Sequence, residues 1–204
     1  MYLPTVLIAS LALIFTVSSF WWLNARPGRL VFYSVTTFGG YINTQSLVIQ
    51  IPVVVHNTGA KPRVIRELRL EGVDQPGGTF RLEAQTFHKK LGPGGEGSDF
   101  VHPFAVNGRS VITKYVRFAT DNVPLLVPGE SMKLVLQGLV GEGDSWVELK
   151  TLDIHVGILV NSFLTMSNNP GHWKTYTLAD GREHQEAVMG LLRERRQVSA
   201  GDPS

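Results

Sequence analysis

The hydrophobic pattern of this chain changes twice. Residues 2–23, YLPTVLIASLALIFTVSSFWWL, hold no charged side chain. As a helix this segment would reach about 33 Å, against a hydrocarbon core of roughly 30 Å. Tyr2 at one end and Phe20, Trp21 and Trp22 at the other stand where amphipathic rings favour the headgroup level. Arg26-Pro27-Gly28-Arg29 then ends both the apolar run and the helix, and Pro4 falls in the first turn, where a missing N–H costs little. The pattern predicts a transmembrane anchor over 1–25.

From Leu30 to about Val156 short β-branched and aromatic runs alternate with Gly, Pro, Asn and Asp, and no helical period intervenes. Strands are expected at 30–37, 45–56, 63–71, 79–87, 110–119, 131–140 and 145–156. This count and spacing suit an immunoglobulin-like β-sandwich over 26–157. The second strand is the clearest, since Leu47, Ile49, Ile51, Val53 and Val55 alternate with more polar positions and demand a covering layer. Pro52 conflicts with a central position there, because proline cannot donate to a ladder; an edge or a bulge is expected. Val147 and Leu149 differ in parity from Leu152, Ile154 and Val156, which predicts a bulge near Lys150-Thr151.

Between the second and third strands the run Val53-Val54-Val55 stops at His56-Asn57-Thr58-Gly59, passes Lys61-Pro62-Arg63 and becomes apolar again at Leu68 and Leu70. Asn57 and Gly59 tolerate left-handed backbone, and Pro62 blocks continuation, so the segment reads as a corner between strands. Gly141-Glu142-Gly143-Asp144 reads as a hairpin turn.

After Gly157 the pattern changes again. Residues 158–204 form a C-terminal extension with a helix at about 182–197, capped by Asp180 with Glu183. Val188, Leu191 and Leu192 make its narrow apolar stripe, and Arg193, Arg195 and Arg196 its basic end. Those three arginines are candidates for contact with a partner or anionic lipid. A plain covering of the sheet edge is the simpler role for the helix.

A cleaved signal peptide would need a basic start, a shorter apolar core and small residues before the cut, whereas this segment begins without Lys or Arg and ends in Phe-Trp-Trp. A single-pass anchor is therefore expected, touching the bilayer through residues 2–23 and its interface through Tyr2, Trp21, Trp22, Arg26 and Arg29. No Lys or Arg precedes the span and two follow it at once, so the positive-inside bias favours a cytoplasmic C-terminal domain.

The 204 residues suffice for one domain and an appendage, and the net charge of +2 gives no concentrated basic face for nucleic acid. With 0 cysteines, disulfides, thiolate metal sites and cysteine nucleophiles are excluded. Histidines 56, 88, 102, 155, 172 and 184 lack metal-ligand spacing. Glu142, Asp144 and Glu148 offer oxygen ligands for calcium or carboxylates for hydrolysis, but solvated hairpin tips explain them more simply. No nucleophile elbow, phosphate-binding loop or dinucleotide fingerprint occurs. Arg63, Arg66 and Arg69 recur at every third residue and should not share a face of a regular strand. No catalytic residue, cofactor or metal is expected, and the chain reads as a non-enzyme.

An amino-terminal span ending in Arg-Pro-Gly-Arg-Leu, a strand closing in His-Asn-Thr-Gly-Ala-Lys-Pro and the following Val-Ile-Arg-Glu-Leu-Arg-Leu together resemble a group of uncharacterised bacterial membrane-anchored proteins with an immunoglobulin-like β-sandwich domain. Pro103-Phe104-Ala105-Val106-Asn107-Gly108-Arg109 and Pro128-Gly129-Glu130-Ser131 fit the same pattern. More distantly, Asn57-Thr58-Gly59 is similar to turns of bacterial adhesion modules and late-embryogenesis-abundant domains. The resemblance covers residues 1 to about 156 and implies a fold, with no catalytic residues. Anchor and siteless domain together suggest a membrane-tethered scaffold or accessory subunit for another membrane or juxtamembrane protein. The alternative is an extracytoplasmic module that binds a ligand or envelope polymer.

Overall fold

The structure, a computed structural model, describes residues 3–35, 37–42, 44–73, 77–91, 99–124, 131–155, 159–160, 163–166, 190–194 and 197. An apolar helix, α1 (Leu3–Phe20), continues into a π-helical turn at Trp21–Ala25. The span Pro4–Ala25 has a mean hydropathy of 2.0 and buries none of its most apolar window against the rest of the chain. Its length and composition suffice to cross a membrane; an uncleaved anchor and a signal sequence share these properties.

The remaining described residues are mainly β. The strands are β1 (Leu30–Phe32), β2 (Gly39–Ile42), β3 (Leu47–Asn57), β4 (Arg63–Val73), β5 (Thr79–His88), β6 (Asp99–Phe100), β7 (Phe104–Val106), β8 (Val111–Thr120), β9 (Ser131–Val140), β10 (Val147–His155), β11 (Leu159–Val160) and β12 (Phe163–Met166). Their ladders are antiparallel and join them into one sheet in the order β10-β9-β4-β5-β8-β3-β2-β12-β11. Strand β1 pairs with β3 and also touches β10, the strand at the far edge, so the sheet rolls nearly to closure like a barrel. The two sheets expected of a sandwich are joined, at the level of hydrogen bonding, in this single rolled one.

The interior is built from alternating positions. Leu47, Ile49, Ile51, Val53 and Val55 of β3 are all buried, and they meet Ile65, Leu68 and Leu70 of β4, Leu82 of β5, Val116 and Phe118 of β8, Leu134 and Leu136 of β9, and Leu152 and Ile154 of β10. Val48, on the opposite parity of β3, is buried as well. Such burial of aliphatic surface is the main stabilising term for a domain of this size.

The bulge expected in β10 is present, with the register shifting between Glu148 and Lys150. It moves the inward parity from Leu149 to Leu152 and Ile154 and leaves Val147 exposed. A second bulge in β4, between Ile65 and Glu67, was not anticipated. It switches the inward set from Ile65 to Leu68 and Leu70. Arg66 and Arg69 consequently both reach the β9–β10 connection, whereas Arg63, before the bulge, points its guanidinium at Gly28.

Pro52 occupies neither an edge nor a bulge. On one side β3 pairs with β8 throughout, Pro52 lying opposite Tyr115. On the other side two short strands share the ladder: β1 covers Val55 to Asn57, and β2 covers Leu47 to Gln50. The Tyr33 amide donates to Val54, so even-numbered residues of β3 face this second side, and Pro52 falls in the gap between the two strands. The missing N–H therefore costs no ladder bond. The same gap explains why β1 stops at Phe32 instead of running to 37: the next outward-facing amide would be the proline's.

Short strands also appear where no pattern marks them: β2, β6, β7, and the pair β11 and β12 in the C-terminal extension, where β12 joins the sheet through β2. Of the helix expected at 182–197, residues 190–194 and 197 are described and are helical; the rest lies outside the described residues. Leu192 is buried in the main core, while Leu191 and Arg193 are exposed.

Candidate functional site

The end of the sheet where β1 and β4 begin and β3 and β7 end also receives the C-terminus of the apolar helix. The corner after β3 organises it. Asn57 is fully buried; its Nδ2 donates to the carbonyls of Lys61 at 2.8 Å and Val106 at 3.0 Å, and its Oδ1 accepts from the Gly59 amide at 3.0 Å. One amide side chain thus closes the turn on itself and ties it to β7, which meets the requirement that a buried polar group be satisfied.

The linker from the helix lies directly on this corner. The Ala60 amide donates to Arg26 at 3.0 Å and the Thr58 amide to Arg29 at 3.1 Å, while the Arg29 amide donates to the Thr58 hydroxyl at 3.1 Å. Arg63 donates from its guanidinium to Gly28 at 3.0 Å. Gly28 and Gly59 approach backbone to backbone: a Cβ on Gly28 would come within 1.8 Å of the Gly59 nitrogen, and one on Gly59 within 2.2 Å of the Gly28 nitrogen. A third glycine, Gly108, would place a Cβ 1.9 Å from the Ala60 oxygen. The contact exists because these positions lack side chains.

The helix end is closed by the same residues. Its last carbonyls have no intrahelical partner. The Asn24 side chain donates to Phe20 at 3.1 Å, the Arg26 amide to Trp21 at 2.9 Å, and the Arg109 guanidinium to Trp22. Arg26 also stacks its guanidinium over the Trp22 ring, 3.9 Å from the centroid. Two cations at the negative end of a helix dipole are favourably placed. Arg109 is, among the described residues, the one non-glycine with positive φ, at 54°, and its amide donates to Gly59 at 2.8 Å. That backbone is costly for a residue with a side chain and persists because both ends of Arg109 are held.

Trp21, Trp22, Arg26 and Arg29, the residues expected at a membrane interface, therefore come together with Lys61, Arg63 and Arg109, which the sequence did not single out for this role. The turn residues Asn57, Gly59 and Gly108 were the available signal. Tyr2, Arg195 and Arg196 lie outside the described residues, and Arg193 is not among the residues gathered at the junction.

The other candidates are dispersed. Asp144 pairs with Arg66 at 3.0 Å, and Arg66 also donates to the Gly143 carbonyl. Glu148 accepts from the Thr151 hydroxyl at 2.9 Å, and Glu142 is exposed. Among the described residues no three His, Asp or Glu side chains gather where a metal ion could be held. His88 contacts the Thr86 hydroxyl at 2.9 Å, and burial first, then the neighbouring Arg117 charge, holds its imidazole below the usual range. His102 packs edge-on against Phe87 with its Nδ1 near the Phe100 carbonyl, and His56 is half-buried on β3. His172 and His184 lie outside the described residues, as does the side chain of His155.

No family model matches this chain, and no curated protein matches it. Among solved structures, the crystal structure of a protein provisionally named ApaA, from Bordetella pertussis, aligns with 64% of this chain and 95% of its own at 14% identity, with a TM-score of 0.37. A superposition that loose carries no argument about fold or activity.

Proposed function

We propose that this chain is a single-pass membrane protein whose β-domain serves, without catalysis of its own, as a scaffold or accessory subunit for another membrane or juxtamembrane protein. The observation that carries this reading is the junction. Hydrogen bonds from Ala60 to Arg26 and from Arg109 to Trp22 fasten the domain to the end of a helix whose apolar surface finds no cover among the described residues. A cleaved leader has no need of a folded domain that recognises its last turn, and a flexible tether would lack the close Gly28–Gly59 contact. A domain held in one pose at the bilayer surface presents the same face to a neighbour every time, which reduces the ordering cost of association. The arginines that follow the span, Arg26 and Arg29, favour the cytoplasmic side for the domain.

The finer fold reading, an immunoglobulin-like sandwich, is supported by the long strands and by the corner 58–62, which carries the chain from β3 to β4, strands that are not ladder neighbours.

Two experiments test the proposal. Alkaline-phosphatase and fluorescent-protein fusions at the C-terminus report the side of the membrane; phosphatase activity would overturn the cytoplasmic placement and favour the envelope-binding alternative. Affinity capture of the full chain from detergent extracts should return a reproducible membrane partner. That partner should be lost when Gly59→Ala unfastens the junction while the chain stays in the membrane fraction. Release of the chain by carbonate washing would overturn the anchor itself.

A further inference from the structure

The fold delivers more charge to the helix end than the linker alone carries. Arg26 and Arg29 belong to the linker, and the corner, the start of β4 and the β7–β8 turn add Lys61, Arg63 and Arg109, all bonded through backbone or side chain to residues of the same junction. None of the five forms an ion pair with a described residue. Among the described residues, the β9–β10 hairpin, whose Gly141 amide donates to Val64, brings carboxylates toward this end. Of these, Asp144 is taken by Arg66, and Glu142 remains. Among the described residues gathered here the balance is positive, on a chain whose net charge is only +2.

We propose that these five cations form a seat for the phosphate groups of anionic phospholipid, resting on the anchor reading above. The depth of the seat identifies the ligand. Arg109 touches the carbonyl of Trp22, and Arg26 covers the ring of Trp22. Tryptophans at the end of a membrane span lie at the headgroup level, so the cations beside them are held at the plane of the phosphates. Phosphate recognition by several guanidinium groups also has suitable geometry, since each presents a planar fork of donors. A soluble acidic partner would have to compete with headgroups already at that plane. The role is distinct from topogenesis, because Lys61, Arg63 and Arg109 join the collar only after the domain has folded.

The test uses the full chain in neutral-detergent micelles, offered equal amounts of phosphatidylglycerol and phosphatidylcholine, with retained lipid counted by native mass spectrometry. Phosphatidylglycerol should be retained about fivefold more, or better, as follows from the attraction of each basic side chain near an anionic surface. The double substitution Arg29→Gln/Lys61→Gln should remove most of that preference. Both side chains are exposed and neither makes a side-chain hydrogen bond that holds the fold. Lys133→Gln/Lys150→Gln, which removes equal charge from β9 and β10, should keep the preference. Equal retention of the two lipids, or loss in both double variants, would overturn the proposal. Should the first double variant fail to fold by circular dichroism, Arg29→Lys/Lys61→Arg decides instead: it should keep the preference, and losing it would count against the seat. A chain that never enters micelles would refute the anchor, whereas one that enters without lipid preference refutes only the seat.

Discussion

The guanidinium of Arg109 donates to the backbone carbonyl of Trp22, linking a β-turn to the last turn of the apolar helix across 87 positions of sequence. The turn and the helix share no regular secondary structure, yet each completes the other. The helix gains a cation at its negative pole. The turn gains a fixed side chain that holds Arg109 in a left-handed backbone it would otherwise leave.

Substitution at Arg109 should therefore separate backbone strain from side-chain tethering. In Arg109→Ala the positive φ stays as strained as in the parent and the charged tether to Trp22 is gone, so the domain should lose about 1 to 2 kcal/mol in thermal unfolding of the full chain in micelles. Arg109→Gly also loses the tether but accepts the backbone without penalty, and should unfold close to the parent. Both should allow wider motion between helix and domain, measurable as broadened distances between spin labels placed on each. Equal melting of the two variants would show that the strain is not felt.

The Gly28–Gly59 contact makes a sharper demand. A methyl at Gly59 would meet the Gly28 nitrogen at 2.2 Å, and backbone on both sides leaves no flexible side chain to yield. Gly59→Ala should cost about 1 to 3 kcal/mol, the range for overfilling a tight site, and should expose the linker. Limited trypsin digestion would then cut after Arg29 in the variant faster than in the parent. Unchanged cleavage would mean that the linker is not held.

How much of this was legible in sequence differs between strands and junction. The alternation of Leu47 to Val55 and the parity break before Leu152 foretold β3 and the β10 bulge, because side-chain period is a local property written directly in residue order. Strands β2 and β7 were missed: Gly39-Gly40 and the short Phe104-Ala105-Val106 carry too little pattern, and both owe their conformation to a longer partner. Pro52 was rightly seen as a problem for a central strand, but its solution needed two partners sharing one edge. The junction depends on Gly28, Gly59, Gly108 and Arg109 meeting in space, and each alone reads only as a turn or a terminator.

His88 gives the domain a pH dependence whose sign follows from its environment. Burial and the nearby Arg117 charge hold the folded-state imidazole below its ordinary value of 6.5. As pH falls, the unfolded chain binds this proton before the folded one does, so the unfolded state gains. The contribution of His88 is thus complete above about pH 6.5 and is lost as pH falls below it. Denaturant unfolding of the parent and His88→Gln across this window should diverge, the variant having the flatter profile. Parallel profiles would show that the imidazole is not perturbed.

The hairpin carboxylates should prove dispensable. Asp144 pairs with Arg66, but its side chain is 93% exposed, and a pair so solvated contributes little. The variant Glu142→Gln/Asp144→Asn/Glu148→Gln should therefore melt within a few degrees of the parent and keep any partner captured from membranes. Loss of a hydrolytic activity in this variant alone would revive a catalytic reading of the loop. By contrast, Arg69 bonds Gln137 at 2.7 Å and stacks on Trp146 at 3.9 Å, so Trp146→Ala should cost about 1 kcal/mol.

Asn57 offers the most direct test of the corner. Its amide supplies two donors and one acceptor, to the buried Val106 carbonyl and Gly59 amide and to the part-buried Lys61 carbonyl, so Asn57→Ala leaves all three to find new partners. The cost should be about 3 kcal/mol or more, since each stranded buried group costs about 1 to 3. Asn57→Asp preserves the shape and inverts the chemistry. An ionised carboxylate would press negative charge against two carbonyl oxygens, whereas a protonated one recovers a donor for one of them. The introduced group should therefore hold its proton more tightly in the folded chain than in the unfolded one. A folded pKa above the unfolded value places its stability on the acid side, lost as pH rises. Relative to the parent, Asn57→Asp should be closest in stability at acid pH and fall away toward neutrality. The same trend should appear in trypsin cleavage at Arg29, because the corner that Asn57 closes is what the linker lies on. A deficit that does not vary with pH would mean that the two carbonyls are not the partners of this side chain.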